Sequence, residues 1–408
     1  MKILVIGLGV SGEAVVKFLL AKGERVVAVD KNPLKKELGI NILPDSADFP
    51  LEDIDLVVIS PGVSLSHPLV QKAKEKNIEV IGEIELAFRH LQRPAIGITG
   101  TNGKTTVTSL VAHALNHSGR KAEALGNIGT PLIAAIDGEG IAVIELSSYQ
   151  LETVLTPKLS SACILNITPD HLDRYPSLEA YAEAKFLIQK AVIPGGQLVI
   201  ERKAAETYPS LIYREAKIYD WQTPPFPLPE PIAGYKNHEA ENFIAAFYMA
   251  ERFGVSPQEF LAAFAAFKKP PHRIEFVREL SGTRFWDDSK GTNIDATIRA
   301  VEAMKGAVIL IAGGVDKGFP YTVWIEPFKD KVKQIFAFGE AASIMVRDLS
   351  ASLNVTQVGS LAQAVSQAHQ MAVIGDNVLL SPGCSSFDMF RDYKDRGEQF
   401  KSLVRNLT

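Results

Sequence analysis

Gly100-Thr101-Asn102-Gly103-Lys104-Thr105-Thr106, set directly after the apolar run at 95–98, decides how the rest of the chain reads. Glycines let successive backbone N–H groups turn toward one point, the lysine adds a mobile positive charge, and the hydroxyl after it can hold Mg²⁺ at a helix N-terminus. Those are the parts of a cradle for a nucleotide triphosphate. The pattern is a shortened one, with Ile98 where the full motif has a glycine. The plain alternative is a glycine-rich strand-to-helix turn with a chance Lys-Thr. The strand and helix patterns that flank the loop weigh against it.

At 408 residues the chain is too long for one core, and two to three domains follow. A hydrophobic content of 46% and a charged content of 22% describe an ordinary globular protein. The formal charge of −4 gives no electrostatic footprint for nucleic acid. Cys163 and Cys384 are too far apart in sequence for metal-ligand spacing and read as free thiols of a reducing compartment. No apolar run reaches the length of a membrane span, and the cytoplasm is the expected location.

Short apolar strands alternate with helical patterns almost throughout, which predicts parallel α/β sheets. Strand-like runs at 2–6, 25–29, 56–60 and 79–81 form a first domain, 1–93, closed by Pro94, which discourages a helix from running through residue 93. A second domain, 94–269, adds runs at 142–145, 162–166 and 197–201, and a surface loop at 223–231 with five prolines in nine residues. Lys268-Lys269-Pro270-Pro271 marks the next joint. The third domain, 270–408, has runs at 285–287, 308–312, 334–338 and 377–381.

Gly7-Leu8-Gly9-Val10-Ser11-Gly12 follows the first strand and Asp30 ends the second, the spacing of a dinucleotide fingerprint. Alone it would predict a dehydrogenase. A hydride-transfer enzyme, however, has no use for a Lys-Thr-Thr cradle one domain later, and the same turn accepts any nucleotide diphosphate.

Glu145, opening Glu-Leu-Ser-Ser-Tyr-Gln, ends a buried-looking strand, where open α/β sheets face their ligands; it suits Mg²⁺ or, more plainly, a helix N-terminus. Asn166-Ile-Thr-Pro-Asp-His-Leu-Asp-Arg-Tyr175 also follows a strand, and His171 within it reads equally as a functional group or a structural histidine. Lys185, in the helical pattern 178–190, reads by itself as a solvated surface lysine. In the third domain, His272-Arg273, the loop 287–293, the loop 313–317 and the loop 381–386 are polar. The last three carry glycine after a strand and together predict a binding face, although each alone is an ordinary βα loop.

In order, Gly-Thr-Asn-Gly-Lys-Thr-Thr, Glu-Leu-Ser-Ser-Tyr-Gln-Leu-Glu, Asn-Ile-Thr-Pro-Asp-His-Leu-Asp-Arg-Tyr, Pro-His-Arg-Ile-Glu, Asp-Asp-Ser-Lys-Gly-Thr-Asn and Ser-Pro-Gly-Cys-Ser-Ser-Phe-Asp-Met-Phe resemble the Mur ligases from end to end. The resemblance implies three α/β domains, with Rossmann-like N-terminal and C-terminal units flanking a central P-loop ATPase. It implies ATP-dependent addition of D-glutamate to UDP-N-acetylmuramoyl-L-alanine through an acyl phosphate, in cytoplasmic peptidoglycan precursor synthesis. The protein is expected to be a monomer with small-molecule substrates only. Folylpolyglutamate synthase shares the chemistry, but its phosphate loop comes much nearer the N-terminus. The Asp-Asn-Pro-Arg motif of the diamino-acid-adding Mur ligases is not in this sequence.

Carried over by position, Val10, Ser11, Asp30, Lys31, Ser60 and Gly62 hold the uridine diphosphate, and Asn127 and Ser147 complete the UDP-sugar side. Residues 100–106 with Asn242, Arg273 and Asp288 bind ATP. Lys104, Glu145, His171 and Lys185 are the catalytic set, and Thr105, Glu145, His171 and Lys185 ligate two Mg²⁺ ions. For that role Lys185 is expected to be carbamylated, since CO₂ turns the cation into a carboxylate-like ligand. Thr292, Lys317, Ser386 and Tyr393 receive the amino acid, and His171 is the candidate to take its amine proton. The chain departs from the family in reading His238-Glu239 where His-Asn is usual, and Tyr393 where Phe is frequent.

Overall fold

The computed structural model describes the whole chain except residues 33–37, 173, 231 and 233–237. Asp173, third from the end of the motif 166–175, and Pro231, at the end of the proline-rich loop, therefore lie outside the described residues. Three sheets follow one another along the chain. The first contains β1 (Lys2–Ile6), β2 (Arg25–Asp30), β3 (Ile42–Pro44), β4 (Leu56–Ile59) and β5 (Glu79–Gly82) in the order β3-β2-β1-β4-β5. All its pairings are parallel. The strand order reverses between β1 and β4, and a parallel sheet offers its ligand crevice at such a point, beyond the strands' carboxyl ends.

The second sheet is built from β6 (Ala95–Thr99), β7 (Ala122–Gly126), β8 (Ile141–Glu145), β9 (Leu159–Ile164), β10 (Val192–Glu201) and β11 (Lys217–Tyr219), ordered β11-β10-β9-β6-β8-β7 and again parallel. Its β6 is wholly buried, as expected of a strand covered on both faces. The third sheet, β12 (Glu275–Leu280), β13 (Thr283–Asp287), β14 (Val308–Gly313), β15 (Val332–Phe338), β16 (Val355–Gln357) and β17 (Asn377–Leu380), runs β12-β13-β17-β14-β15-β16. It departs from the all-parallel expectation: β12 pairs antiparallel with β13. Ser281 and Gly282 join them with φ of 50° and 77°, the two positive values of a type I′ hairpin turn.

The chain forms two compact units, one of Met1–Ile167 with Ala182–Lys268 and the other of Thr168–Tyr181 with Lys269–Thr408. In the first, one hydrophobic cluster takes residues from both sheets: Val5, Val58 and Ile81 from one, Ile144, Leu159 and Ile200 from the other, and Leu86 and Phe88 from the helix Glu83–His90 between them. That helix also carries a clamp. Glu85, wholly buried, accepts the N–H groups of Leu155 (2.8 Å) and Thr156 (2.9 Å), the Thr156 hydroxyl (2.7 Å) and Arg89 Nε (2.9 Å). Those hydrogen bonds hold its carboxyl below the usual range even though burial acts the other way. On the far face of the second sheet, Phe243 and Phe247 of the helix His238–Glu251 pack edge-on against Phe260 at 5.1 and 5.4 Å. The proline-rich loop is not purely surface: Phe226 lies 4.8 Å from Phe247. In the second unit, β14 alternates its faces, Leu310 into one cluster and Ile309 and Ile311 into the other.

The glycine turn after β1 shows which glycine is structural. A Cβ at Gly12 would lie 2.0 Å from Gly7 O, a backbone atom that cannot swing aside, whereas a Cβ at Gly9 would meet nothing within 4 Å. Gly12→Ala is therefore expected to destabilise the protein by about 3 kcal/mol or more, and Gly9→Ala by less than about 0.5 kcal/mol. Urea midpoints of the two variants measure the contrast.

Candidate active site

Because β6 lies between β8 and β9, the ends of all three strands open on one edge of the second sheet. Gly103 begins the helix Lys104–His117 with φ of 88°, and a Cβ there would fall 2.1 Å from Asn242 Oδ1. Glycine is thus required by the left-handed backbone and again by the side chain over it. Asn166, just after β9, braces the loop. Its carbonyl accepts the Thr101 N–H (2.7 Å), its Oδ1 accepts the Asn102 N–H (2.8 Å), and its Nδ2 donates back to Asn102 O (3.1 Å). Lys104 Nζ donates to Gly100 O and Thr101 O, each at 2.8 Å.

Lys185 overturns the expectation of a solvated surface lysine. It is 1% exposed and donates to the same Gly100 O at 2.8 Å. Ala182, Lys185, Phe186 and Gln189 are all buried, a helical stripe of i, i+3, i+4 and i+7 spacing on which the lysine occupies a core position.

Glu145 ends β8 at 1% exposure. Asn127 Nδ2 donates to its Oε1 at 2.9 Å, and the Asn127 N–H to its carbonyl at 2.9 Å. Buried Thr105 lies one residue into the helix that the loop opens. A carboxylate and a hydroxyl at one sheet edge form a hard-oxygen donor set that fits Mg²⁺. Ser147 and Gln150 form a capping box on the short helix Ser148–Leu151.

In the first sheet, the Leu8 N–H donates to Asp30 Oδ2 (2.6 Å) and the Asn32 N–H to Asp30 Oδ1 (2.8 Å). Asp30 therefore shapes the glycine turn itself. Ser60 Oγ ties the end of β4 to Gly7 O at 2.6 Å. Val10 is 72% exposed at the start of the helix Val10–Ala21, an N-terminus with the polarity an anion needs. Exposed Lys31 and Gly62 and half-buried Ser11 complete this edge.

In the second unit, the loops after β13, β14 and β17 meet at Arg396, which is wholly buried on the helix Tyr393–Arg405. Its guanidinium donates to Ser289 Oγ (3.0 Å), Ser289 O (2.9 Å), Gly313 O (3.3 Å), Cys384 O (3.2 Å) and Ser385 O (3.4 Å). Burial pushes it down to about 10. Asp288 accepts the Ser381 hydroxyl at 2.7 Å; burial pushes its carboxyl up to about 7, with that hydroxyl and the Arg273 charge acting in the opposite direction. Lys290 Nζ lies 4.1 Å over the Tyr393 ring, and Ser289 Oγ donates to Tyr393 O at 2.8 Å. Lys317 Nζ is paired with Asp170 Oδ1 at 2.9 Å, and Asn293 Nδ2 donates to Asp170 Oδ2 at 3.2 Å. Thr292 is half-buried, Ser386 buried, and His171, with φ of 58°, lies in the segment Thr168–Tyr181 beside Asp170.

Residues 1–82 match the Mur ligase MurD-like N-terminal domain, 98–218 the Mur ligase middle domain, and 272–384 the Mur ligase glutamate ligase domain. The chain belongs to the Mur ligase family. It is 48% identical to the UDP-N-acetylmuramoylalanine--D-glutamate ligase of Protochlamydia amoebophila over 100% of this chain and 98% of that one. It is 38% identical to the enzyme of the same name from Chlamydia caviae, with the same coverage. Among solved structures, the MurF ligase of Thermotoga maritima in complex with ADP is similar at a TM-score of 0.60 and 16% identity, covering 99% of this chain and 95% of that one. That likeness bears on the fold, the three-domain α/β arrangement.

Of the expected site residues of this Mur ligase, the first unit brings Lys104, Thr105, Glu145, Lys185, Asn127 and Asn242 to the edge of the second sheet. It lines Val10, Ser11, Asp30, Lys31, Ser60 and Gly62 along the first. Arg273, Asp288, Thr292, Lys317, Ser386, Tyr393 and also His171 belong to the second unit. Two residues that organise these sites were not anticipated. Asn166 stood in plain view as the first residue of its motif. Arg396 left a fainter signal: Arg396, Gly397, Phe400, Lys401 and Val404 are the buried stripe of their helix. Asn166→Ala removes two side-chain hydrogen bonds from the phosphate loop, worth about 2 kcal/mol together. It should raise KM for ATP by roughly 10- to 30-fold in steady-state kinetics and lower urea stability by no more than about 2 kcal/mol.

Proposed function

We propose that this Mur ligase joins D-glutamate to UDP-N-acetylmuramoyl-L-alanine, with conversion of ATP to ADP and phosphate. The reading is carried by the 48% identity, over the full chain, to a relative bearing that name. A carboxylate and an ammonium group do not condense in water unless the carboxylate is activated. The substrate's terminal carboxylate attacks the γ-phosphorus of ATP, ADP leaves, and an acyl phosphate results. The deprotonated amine of D-glutamate then attacks the acyl carbon, and phosphate departs from the tetrahedral adduct. His171 is the candidate to take the amine proton.

Phosphoryl transfer asks chiefly for positioning and charge neutralisation. Lys104 and the N–H groups of 100–106 supply both, with Asn242, Arg273 and Asp288 holding the rest of ATP. Mg²⁺, held by Thr105 and Glu145, with a second ion on His171 and carbamylated Lys185, would neutralise phosphate charge and orient the oxygens. The support for a changed Lys185 is local: two ammonium groups share Gly100 O, so they lie no more than about 6 Å apart and repel by about 3 kcal/mol at an effective dielectric near 20. A carbamate on one of them turns that repulsion into attraction.

The uridine diphosphate is assigned to Val10, Ser11, Asp30, Lys31, Ser60 and Gly62, with Asn127 and Ser147 on the sugar side. The amino acid is assigned to Thr292, Lys317, Ser386 and Tyr393, Lys317 exchanging Asp170 for the incoming carboxylate. No helix among the described residues is long and apolar enough to cross a membrane. We place the enzyme in the cytoplasm as a monomer.

Two measurements test the reading. Phosphate release with UDP-N-acetylmuramoyl-L-alanine across a panel of amino acids should occur with D-glutamate and stay at background with L-alanine or a diamino acid; the reverse pattern refutes it. After equilibration with ¹³C-bicarbonate, the wild type should show a carbamate carbon signal by NMR that Lys185→Met lacks. An identical spectrum from both proteins would remove Lys185 from the metal site.

A further inference from the structure

A buried carboxyl that the mechanism above does not use lies where the first two sheets join. Glu83 begins the helix Glu83–His90 directly after β5 and is 1% exposed. Its Oε1 accepts the Ile133 N–H at 2.8 Å, at the start of the 3₁₀ turn Leu132–Ala135. Its Oε2 is buried and has no hydrogen-bond partner. An orphaned carboxyl oxygen is costly, and native folds retain few of them.

The same residue lines a pocket of about 10 Å³, room for about one water molecule. Ser60, Pro61 and Val63 enclose it from the loop after β4, and Tyr149, Gln150 and Thr153 from the turn after β8. Both flanks lead to substrate-side residues. Ser60 is bonded to the glycine turn through Gly7 O, and Gln150 Oε1 accepts the Ser147 N–H at 2.9 Å. The approach is close: a Cβ at Gly82 would fall 2.5 Å from Thr153 Oγ1.

We propose that Glu83 is a positioning residue for the uridine-nucleotide subsite, its carboxyl setting the spacing between the loop at 60–63 and the turn at 149–153. The proposal rests on the reading that Ser60 and Gly62 hold the uridine diphosphate. Burial pushes the Glu83 carboxyl up to about 7, against the Ile133 and Leu132 N–H groups, and no cation contributes. The neighbouring charges are engaged elsewhere. Glu85, on the same helix, is bonded to Leu155, Thr156 and Arg89, and Arg93 pairs with Glu123 and donates to Ala135 O. Tyr149 is the other titratable side chain among the described residues lining the pocket. Above pH 7 the ionised carboxylate both strains the seam and adds a negative charge on the side of the diphosphate. The nucleotide therefore prefers the protonated form.

The test is calorimetric binding of UDP-N-acetylmuramoyl-L-alanine, whose diphosphate diester does not titrate between pH 6 and 8. Wild-type Kd should weaken on the order of fourfold across that range, while Glu83→Gln holds the pH 6 value throughout and binds ATP as the wild type does. By linkage, the same ligand should raise the midpoint of a ¹³C-glutamate carboxyl titrating near 7 in the wild type by about 0.6 of a pH unit, a readout needing no variant. Stability gives the matching sign. Since the folded value lies above the unfolded one, this group's contribution is present below about pH 4.5 and lost as pH rises through 7. The melting temperature of Glu83→Gln relative to wild type should therefore climb between pH 6 and 8. Parallel weakening in both proteins, an equal change in ATP affinity, or no glutamate carboxyl titrating between 6 and 8 would overturn the proposal. A wild type that binds no uridine nucleotide at any pH overturns the functional reading and this inference with it.

Discussion

Two lysine ammonium groups converge on one backbone oxygen, Gly100 O, and the second sheet is arranged around that point. A carbonyl offers two lone pairs, so it can accept both; what it cannot do is cancel their mutual repulsion. The neighbouring strands supply what the point requires. Just after β9 comes Asn166, which keeps the loop's N–H groups in line, and from β8 comes Glu145, a buried acid in register with Ile98 of β6. The cradle is therefore a property of three adjacent strands rather than of a seven-residue string. Its positive character is what an ATP phosphate or a carbamate would find.

Much of this was legible beforehand, and the gaps have a common cause. The strands that the sequence did not reveal, Ile42–Pro44, Ala122–Gly126, Lys217–Tyr219, Glu275–Leu280 and Val355–Gln357, are all edge strands. An interior parallel strand is covered on both faces and reads as a continuous apolar run, as Ala95–Thr99 and Val308–Gly313 do; an edge strand is short or half solvated and blends into the loops. The antiparallel hairpin was missed for the same reason, although Ser281-Gly282 was a turn signal. At the site, charge misled. Lys185 by itself read as a surface lysine and Arg396 drew no reading at all, yet both sit on buried helical stripes among carbonyl oxygens. Spacing, not identity, carried the information.

The joint expected at residue 93 is a break in the sequence pattern, and the physical chemistry runs across it within one compact unit. Glu85 replaces the solvent of two backbone N–H groups and a hydroxyl on the central sheet's far turn, and the hydrophobic cluster beneath takes side chains from both sheets without a break. A carboxylate so well satisfied is costly to pull away, since four hydrogen bonds to this wholly buried group would be lost at once. Glu83, two residues earlier on the same helix, is the counterexample: equally buried, half satisfied, and so sensitive to its proton.

The segment Thr168–Tyr181 departs from the second sheet and groups with the C-terminal residues, held there by Asp170 on Lys317 and Asn293 and by Thr168 on Asp295. Covalent order and folding unit therefore disagree. Cutting the gene at Lys269 to express the C-terminal part would strand Lys317 and Asn293 without their carboxylate and lay bare the surface this excursion covers. A faithful excision would need to carry the fourteen-residue insert along, by circular permutation or as an added peptide in trans.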